Sequence, residues 1–382
     1  MKDLLEIEDL VLKFYTYEGV VEALDEVNLT LKEGETLGLV GETGCGKSMT
    51  ALSILVLVPS PGKIEGGHIF IEQGEKRLDL LGQKEPFLRK IRGDEISMIF
   101  QEPRVYLNPV YTVLDQISEV YMQHRLKELC QMAIKEIDNE IESGKAGSLA
   151  EFEKSMCREL LENPTSPMLE IAARIPILNR YKRRLKRILR KEVVEILKNM
   201  EIADPERVVD MYPHELSGGM AQRVIVAMAL ACNPRLLIAD EPTTNLDVTV
   251  QLQILNLIRT LKKKYGSSIL YITHDMGVVA ELCQRVAVMY AGSVCEIAGV
   301  MEIFKDPLHP YTKGLLESIP QPGKEFKSIE GTVPSLINPP TGCRFHDRCP
   351  YALEVCAKTK PKMIEVKKDH FIKCHLFTGD QE

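Results

Sequence analysis

The stretch of sequence that decides the fold is Gly41-Glu42-Thr43-Gly44-Cys45-Gly46-Lys47-Ser48, which matches the pattern G-x-x-x-x-G-K-[ST]. It follows the apolar run Leu37-Gly38-Leu39-Val40 and precedes a helix-like run that begins at Met49. Strand, glycine-rich loop and helix in this order allow backbone N–H groups and the helix N-terminus to converge on phosphate oxygens. We therefore predict that nucleotide phosphates bind along residues 41–49. A glycine-rich turn without a nucleotide is the alternative.

A second group of candidates would supply metal binding and proton transfer. Lys47 would reach the β- and γ-phosphates, and the Ser48 hydroxyl would bind Mg²⁺. Asp240 and Glu241 follow the apolar run 236–239. We predict that Asp240 holds the Mg²⁺, directly or through water, and that Glu241 polarises the attacking water as a general base. Taken alone, two carboxylates after a strand could equally form a solvated turn.

Apolar runs along the chain predict an α/β fold. The runs at 37–40, 236–239 and 269–272 are typical of strands in a mostly parallel sheet that is covered on both faces. Short alternating strands before residue 36 predict an antiparallel β subdomain. We divide the chain into four regions: the first part of a nucleotide-binding core, 1–114; a helical subdomain, 115–215, with an insertion at about 125–190; the second part of the core, 216–299; and a loop-rich, proline-rich C-terminal extension, 300–382.

Composition narrows the class of protein. The 382 residues include 48 Lys and Arg against 55 Asp and Glu, and the net charge of -7 argues against a nucleic-acid-binding field over the whole protein. The N-terminus has no signal-peptide pattern, and no apolar run reaches membrane-spanning length. We therefore expect a soluble protein inside the cell, where clustered cysteines are more often metal ligands than disulfides.

Four further motifs carry a family resemblance. Leu216-Ser217-Gly218-Gly219 resembles the signature motif of ATP-binding cassette (ABC) proteins, and Gln101 resembles the glutamine of their Q-loop. Asn245-Leu246-Asp247 resembles their D-loop, and His274 resembles their switch histidine. Together with the phosphate loop (residues 41–48) and the two carboxylates, these motifs occur in the order that the family has. The resemblance implies a P-loop ABC ATPase fold and a site for ATP and Mg²⁺.

The resemblance also implies a site shared between two subunits. In the family, two cassettes pair head to tail. Ser217, Gly218 and Gly219 would then contact ATP held on the partner's phosphate loop, and Asp247 would also belong to the nucleotide-binding residues.

The resemblance implies contacts with the nucleotide, the metal ion or the attacking water for three more residues. His274 would contact the γ-phosphate, and Gln101 would sense the Mg²⁺ and the attacking water. An aromatic residue near the N-terminus would stack on adenine. Tyr17 is the candidate and Tyr15 the alternative, although either could be an ordinary strand residue.

Longer motifs narrow the resemblance to importers. Ile99-Phe100-Gln101-Glu102-Pro103, Tyr212-Pro213-His214-Glu215 and His309-Pro310-Tyr311-Thr312 resemble segments of the ATPase subunits of dipeptide and oligopeptide importers. Some members of that family carry oligosaccharides instead. The implied partners are two membrane permease subunits, a second homologous ATPase subunit in a heterodimer and, indirectly, an extracytoplasmic solute-binding protein. The implied location is the cytoplasmic face of the cell membrane, and no nucleic acid is expected.

Four of the ten cysteines lie close together near the C-terminus. Cys343, Cys349, Cys356 and Cys374 resemble the C-terminal extension of the same family, which holds a [4Fe-4S] cluster. Four thiolates are the ligand set that such a cluster needs, and the spacing lacks the C-x2-C pairs common in zinc sites. We expect the cluster, and a zinc site or unliganded thiols are the alternatives.

The insertion departs from the family pattern, because Gln101 and Ser217 are farther apart than the family usually places them. Its tail, residues 180–191, has eight basic residues in twelve. A basic amphipathic helix could meet anionic lipid headgroups or an acidic partner, and a solvated helix face is the ordinary alternative.

Two other functions compete with an importer ATPase. A soluble ABC ATPase of DNA repair would carry long coiled coils where this chain has a short insertion. An iron-sulfur assembly or redox-sensing protein would use nucleotide only for regulation. Such a site has no need for the general base Glu241 or for His274.

Overall fold

The computed structural model describes residues 2–74, 76–101, 103–145, 147–175, 178–244, 247–319 and 329–378. Asn245 and Leu246 of the D-loop motif, and Glu102 after Gln101, lie outside these ranges.

Strands within the described ranges form two sheets. The strands are β1 Asp3–Thr16, β2 Gly19–Lys32, β3 Thr36–Val40, β4 Gly62–Gln73, β5 Lys76–Asp79, β6 Ile96–Ile99, β7 Leu236–Asp240, β8 Ser268–Thr273, β9 Arg285–Tyr290, β10 Ser293–Gly299, β11 Met363–Lys367 and β12 His370–Lys373. The smaller sheet has the order β2-β1-β4-β5, and its neighbouring strands are antiparallel. The larger sheet has the order β11-β12-β10-β9-β3-β8-β7-β6.

Helices connect and cover these strands. They are α1 Lys47–Ile54, α2 Glu85–Ile91, α3 Pro103–Tyr106, α4 Val113–His124, α5 Leu126–Glu142, α6 Ala150–Glu162, α7 Pro167–Arg174, α8 Arg180–Asn199, α9 Pro205–Val208, α10 Gly218–Leu230, α11 Val248–Tyr265, α12 Met276–Leu282, α13 Val300–Lys305, α14 Pro310–Glu317 and α15 Glu354–Lys358. Among the described residues, none of these helices combines the length and the apolar character needed to cross a bilayer.

The centre of the larger sheet confirms the predicted α/β fold. Strands β9, β3, β8, β7 and β6 pair in parallel. All residues of β3, β7 and β8 are buried, which explains why their sequences are nearly continuous apolar runs. Because the carboxyl ends of parallel strands meet at one edge of a sheet, the loops after β3, β7 and β8 lie at that edge.

The C-terminal region contains strands that the sequence analysis did not predict. β11 and β12 form an antiparallel pair, and β12 extends the larger sheet by pairing with β10. The two strands are only five and four residues long. The apolar residues at 363–373 therefore form runs too short to stand out as strands.

The chain divides into two compact units. One unit comprises Met1–Gln101, Arg235–Thr244 and Leu255–Glu382, and it contains both sheets. The other comprises Glu102–Pro234 and Asn245–Ile254, and it contains the helices from α4 to α10.

The basic tail of the insertion forms the first half of α8, and its apolar face is already occupied. Four apolar residues of this half are buried inside the second compact unit, called the helical unit below: Tyr181, Leu185, Ile188 and Leu189. An amphipathic helix that inserts into a membrane needs a free apolar face. The buried apolar face of α8 is therefore not available for contacts outside the unit, whereas Lys182 and Lys186 of its first half are exposed.

One cation of α8 is buried in an ion-pair network. The side chain of Arg184 is 5% exposed and contacts the carboxylates of Glu153, at 3.1 Å, and Glu140, at 2.8 Å. Glu153 is also buried, and its second oxygen contacts Arg180. Arg184 thus links α8 to α5 and α6 instead of facing solvent.

We expect Arg184→Ala to lower the free energy of unfolding of the helical unit by about 3 kcal/mol, because it leaves a buried carboxylate without its buried partner. Urea unfolding followed by circular dichroism measures the effect. Lys182→Ala, on an exposed position of the same helix, is the matched control and should change stability by less than about 0.5 kcal/mol. Equal stability of the two variants would contradict the assigned network.

Candidate nucleotide-binding site

The phosphate loop connects β3 to α1, as its sequence predicts. The Lys47 side chain is buried, and its ammonium group donates hydrogen bonds to the carbonyl oxygens of Gly41, at 2.8 Å, and Glu42, at 3.0 Å. Thr43 and Gly44 are exposed at the tip of the loop. Lys47 is therefore held inside the curve of the loop, at the N-terminus of α1.

Gly46 is a position at which the loop requires glycine. Its φ is 103°, which L-residues with a side chain rarely adopt. A Cβ there would lie 2.9 Å from the Ala23 carbonyl oxygen and 2.9 Å from a methyl carbon of Leu24. The close approach of strand β2 thus explains the glycine that precedes Lys47.

Two further residues of the segment 41–49, Cys45 and Met49, are directed into the protein interior. The Cys45 thiol is fully buried, and burial raises its pKa above the usual range. Met49 packs against the hydrophobic core. A thiol that stays neutral and buried is a poor nucleophile, so Cys45 serves the loop through its backbone.

Asp240 ends β7 next to the phosphate loop and fits a magnesium ligand. Its side chain is 4% exposed, and burial raises the pKa of its carboxyl, although a hydrogen bond from Ser48 opposes that change. Its Oδ1 atom is buried and has no hydrogen-bond partner in the described structure. A buried carboxylate oxygen without a partner, beside a serine hydroxyl, is a donor set that suits a hard cation such as Mg²⁺.

Glu241 is the point at which the predicted catalytic residues meet. Its Oε2 accepts hydrogen bonds from Gln101 Nε2, at 3.3 Å, and from the Thr244 hydroxyl, at 3.0 Å. Its Oε1 lies 3.1 Å from Nδ1 of His274. Gln101 follows β6 and His274 follows β8, so strands on both sides of β7 present their polar ends to Glu241. The sequence analysis did not identify Thr244.

The two tyrosine candidates differ in environment. Tyr17 lies in the turn between β1 and β2 and is 98% exposed. Tyr15 lies on β1, and its hydroxyl donates a hydrogen bond to Glu65 at 2.8 Å. Tyr17 thus has a ring face that is open to a ligand, whereas the Tyr15 hydroxyl is already bound.

The signature residues lie in the other compact unit. Ser217 caps the N-terminus of α10, where its hydroxyl accepts a hydrogen bond from the Met220 N–H. Gly218 and Gly219 are the first two residues of that helix. Asp247 precedes α11, and its carboxylate accepts a hydrogen bond from the Val250 N–H. Both segments therefore present helix N-termini.

The four C-terminal cysteines are neighbours but form no metal site as they stand. Burial raises the pKa of Cys343 and of Cys374 to about 11 each, and the pKa of Cys349 is also raised by burial, with further contributions from neighbouring thiols. Thiols with raised pKa values are neutral without a metal, and a bound metal ion would deprotonate them. No group of three or more His, Cys, Asp or Glu side chains in the described ranges is arranged to hold a metal ion. The described arrangement thus does not show the expected [4Fe-4S] ligand set, which stays a prediction.

Two contacts on the phosphate loop were not predicted. The Glu42 N–H donates a hydrogen bond to the Tyr311 hydroxyl at 3.0 Å, and the Glu42 carboxylate pairs with Arg348 at 3.0 Å. In the sequence, Tyr311 stands out only as part of the resemblance, and Arg348, which immediately precedes Cys349, belongs to none of the motifs. The position of Arg348 between Cys343 and Cys349 is the feature of the sequence that could have indicated its importance.

Comparison with known proteins gives two family matches. Residues 24–244 match the model described as ABC transporter, and residues 295–356 match the model described as oligopeptide/dipeptide transporter, C-terminal region. The first match covers more than half of the chain and includes the phosphate loop and both carboxylates. The second includes Tyr311 and three of the four C-terminal cysteines.

Relatives are similar over nearly their whole length. The chain is 42% identical to the oligopeptide transport ATP-binding protein OppD of Bacillus subtilis, covering 99% of this chain and 90% of the relative. It is 40% identical to the dipeptide transport ATP-binding protein DppD of the same organism, covering 98% and 95%. A probable peptide ABC transporter ATP-binding protein of Sinorhizobium fredii is 42% identical, with 97% and 94% covered.

Solved structures share the fold. The dimeric post-hydrolysis structure of the ATP-binding cassette MJ0796 bound to ADP and Pi has a TM-score of 0.54 and 24% identity, covering 78% of this chain and 99% of that chain. The structure of cbiO1 from Clostridium perfringens, described as part of the ABC transporter complex cbiONQ, has a TM-score of 0.53 and 24% identity, covering 80% and 92%.

We expect Gly46→Ala to weaken binding of a fluorescent ATP analogue by at least about tenfold, because the new Cβ meets the β2 backbone at an unfavourable φ. Gly66→Ala is the matched control, since a Cβ there meets no atom within 4 Å. Thermal unfolding of both variants separates loss of the site from loss of the fold. Unchanged affinity in a folded Gly46→Ala protein would contradict the assignment of this loop to phosphate.

Proposed function

The chain belongs to the ABC transporter family, and from this membership we propose that it is the ATP-hydrolysing subunit of a peptide importer at the cytoplasmic side of the membrane. The observation that carries the proposal is the convergence of Gln101 and His274 on Glu241, next to the buried Asp240. A protein that only bound nucleotide would not need a general base held by two polar neighbours.

Residues of the phosphate loop would bind the nucleotide. Backbone N–H groups of residues 41–48 and the N-terminus of α1 would contact the phosphates, and Lys47 would exchange its carbonyl partners for phosphate oxygens. Mg²⁺ held by Ser48 and Asp240 would neutralise charge that develops on the phosphates. The exposed Tyr17 would stack on the adenine ring.

Glu241 would act on the attacking water. Its carboxylate accepts hydrogen bonds from Gln101 and Thr244 through one oxygen and contacts His274 through the other. This arrangement fixes the orientation of the carboxylate, so that it can take a proton from water. His274 is largely exposed and would contact the γ-phosphate, while Gln101 would sense the ion and the water.

Subunits of this family act with membrane permeases and pair as cassettes. We propose that this chain pairs with a second, homologous ATPase subunit in a heterodimer. Ser217, Gly218 and Gly219 at the N-terminus of α10, with Asp247 before α11, would contact ATP on that partner. Closure on ATP and opening after hydrolysis would drive the permeases, and an extracytoplasmic solute-binding protein would deliver the substrate.

Peptides are the proposed cargo. OppD and DppD are named for oligopeptide and dipeptide transport, and the similarity to them includes the C-terminal region. Oligosaccharides are the alternative cargo of the same family. Permease and binding-protein subunits choose the solute, so cargo must be tested with the complete transporter.

We expect Glu241→Gln to lower the kcat for ATP hydrolysis by at least about 100-fold and to leave ATP binding intact, because the amide cannot accept the proton. Uptake of labelled di- and oligopeptides into proteoliposomes carrying the complete transporter should stop as well. Glu354→Gln, at an exposed position, is the matched control. Hydrolysis at the wild-type rate would exclude the assigned base. Uptake of oligosaccharides without peptides would replace the proposed cargo.

We also propose that Cys343, Cys349, Cys356 and Cys374 hold a [4Fe-4S] cluster. Their number matches the ligand set, and the Cys343 N–H donates a hydrogen bond to the Cys356 carbonyl oxygen at 2.7 Å, so two of the four are close together. On ligation the metal would displace the thiol protons, which would pass to water.

We expect protein purified without oxygen to contain about four iron and four acid-labile sulfide per chain. Cys349→Ser should lower both, whereas Cys232→Ser, outside the extension, should not. Stoichiometric zinc without sulfide would contradict the cluster and favour the four-cysteine zinc site.

A further inference from the structure

Glu42 of the phosphate loop is bound at three of its groups. Its carbonyl oxygen accepts a hydrogen bond from the Lys47 ammonium, its N–H donates to Tyr311, and its carboxylate pairs with Arg348. Lys47 belongs to the loop itself, whereas Tyr311 and Arg348 come from the C-terminal region. The position of Glu42, and with it one of the two carbonyl groups that hold Lys47, is therefore set partly from outside the loop.

Arg348 is itself rigidly held. Its side chain is 7% exposed, and its guanidinium donates hydrogen bonds to the carbonyl oxygens of Glu330, at 2.9 Å, and Ile329, at 3.3 Å, and to the Tyr290 hydroxyl, at 3.2 Å. The backbone at Arg348 belongs to a short 3-10 turn, His346–Arg348. A guanidinium fixed by several planar contacts loses little further freedom when it binds a carboxylate.

Tyr311 is held by aromatic packing. The residue is fully buried on α14, and its ring lies 4.6 Å from the ring of Tyr290 and 5.4 Å from that of Phe345, measured between centroids. Tyr290 and Phe345 also contact each other edge to face. Tyr290 thus touches both residues that bind Glu42, and the three rings form one packed cluster beneath the loop contact.

We propose that Arg348 and Tyr311 are positioning residues of the nucleotide site, which fix the phosphate loop through Glu42 and so increase its affinity for ATP. A loop that is already ordered loses less conformational freedom when phosphate binds. The C-terminal region would thereby increase the affinity for ATP, in addition to holding the proposed [4Fe-4S] cluster. The inference rests on the proposed nucleotide site.

We expect Arg348→Ala in the full-length protein to raise the Kd and the KM for MgATP by about tenfold, with kcat changed by less than about twofold. Glu42→Ala should give a similar increase, and the double variant should be no weaker than either single variant, because each change removes the ion pair between Glu42 and Arg348. Arg348→Lys should restore part of the affinity, since a lysine keeps the charge but loses the planar hydrogen bonds. Additive effects, or a Kd within twofold of wild type, would overturn the proposal.

Tyr311→Phe tests the second contact without disturbing the aromatic cluster. It removes one hydroxyl and should raise the Kd for MgATP by about threefold. Tyr351→Phe, at an exposed position of the same region, is the matched control and should leave the Kd unchanged. A wild-type protein that fails to bind MgATP would refute the proposed nucleotide site itself. Normal wild-type binding with no effect in the Arg348 and Tyr311 variants would refute only the positioning role.

Discussion

The hydrogen bonds from the Lys47 ammonium to the carbonyl oxygens of Gly41 and Glu42 are the interaction on which the rest of the site depends. They keep a buried cation satisfied at the N-terminus of α1, where anionic phosphate also binds favourably. The loop can close around Lys47 only because Gly46 adopts a positive φ against strand β2. The glycine before Lys47 is thus required by close packing, apart from the role that we propose for the loop in phosphate binding.

Parallel pairing of β6, β7, β8 and β3 brings the other candidate site residues to the edge of the sheet where the phosphate loop lies. Segments that are far apart in sequence end at one edge of the sheet, so that Gln101, Glu241 and His274 touch. Asp240 ends β7 beside Ser48, and one oxygen of its carboxylate accepts no hydrogen bond from the residues that the structure describes. In the proposed assignment, metal binding at Asp240 is therefore separate from water activation at Glu241, although the two residues are adjacent.

Local patterns predicted the parts of this structure that depend on local sequence. The phosphate loop, the apolar strands and the carboxylate pair can each be recognised from a few consecutive residues. The roles of Gln101, His274 and the signature glycines could be predicted only from the family resemblance. The contacts of Glu42 with Tyr311 and Arg348 span 269 and 306 residues, and no periodicity reports such pairs. The buried pairing of Arg184 was hidden for a similar reason, since a run of cations predicts a solvated face. β12 pairs with β10 because β10 offers an open edge of the larger sheet. The short β12 sequence contains no signal for that distant edge.

Titration calorimetry of MgATP into the full-length protein and its Lys47→Ala variant tests the central claim most directly. The account predicts one saturable nucleotide site in the wild type and binding at least about 100-fold weaker in the variant, because the loop loses the cation that both orders it and contacts phosphate. A folded Lys47→Ala protein that bound MgATP as tightly as the wild type would contradict the account.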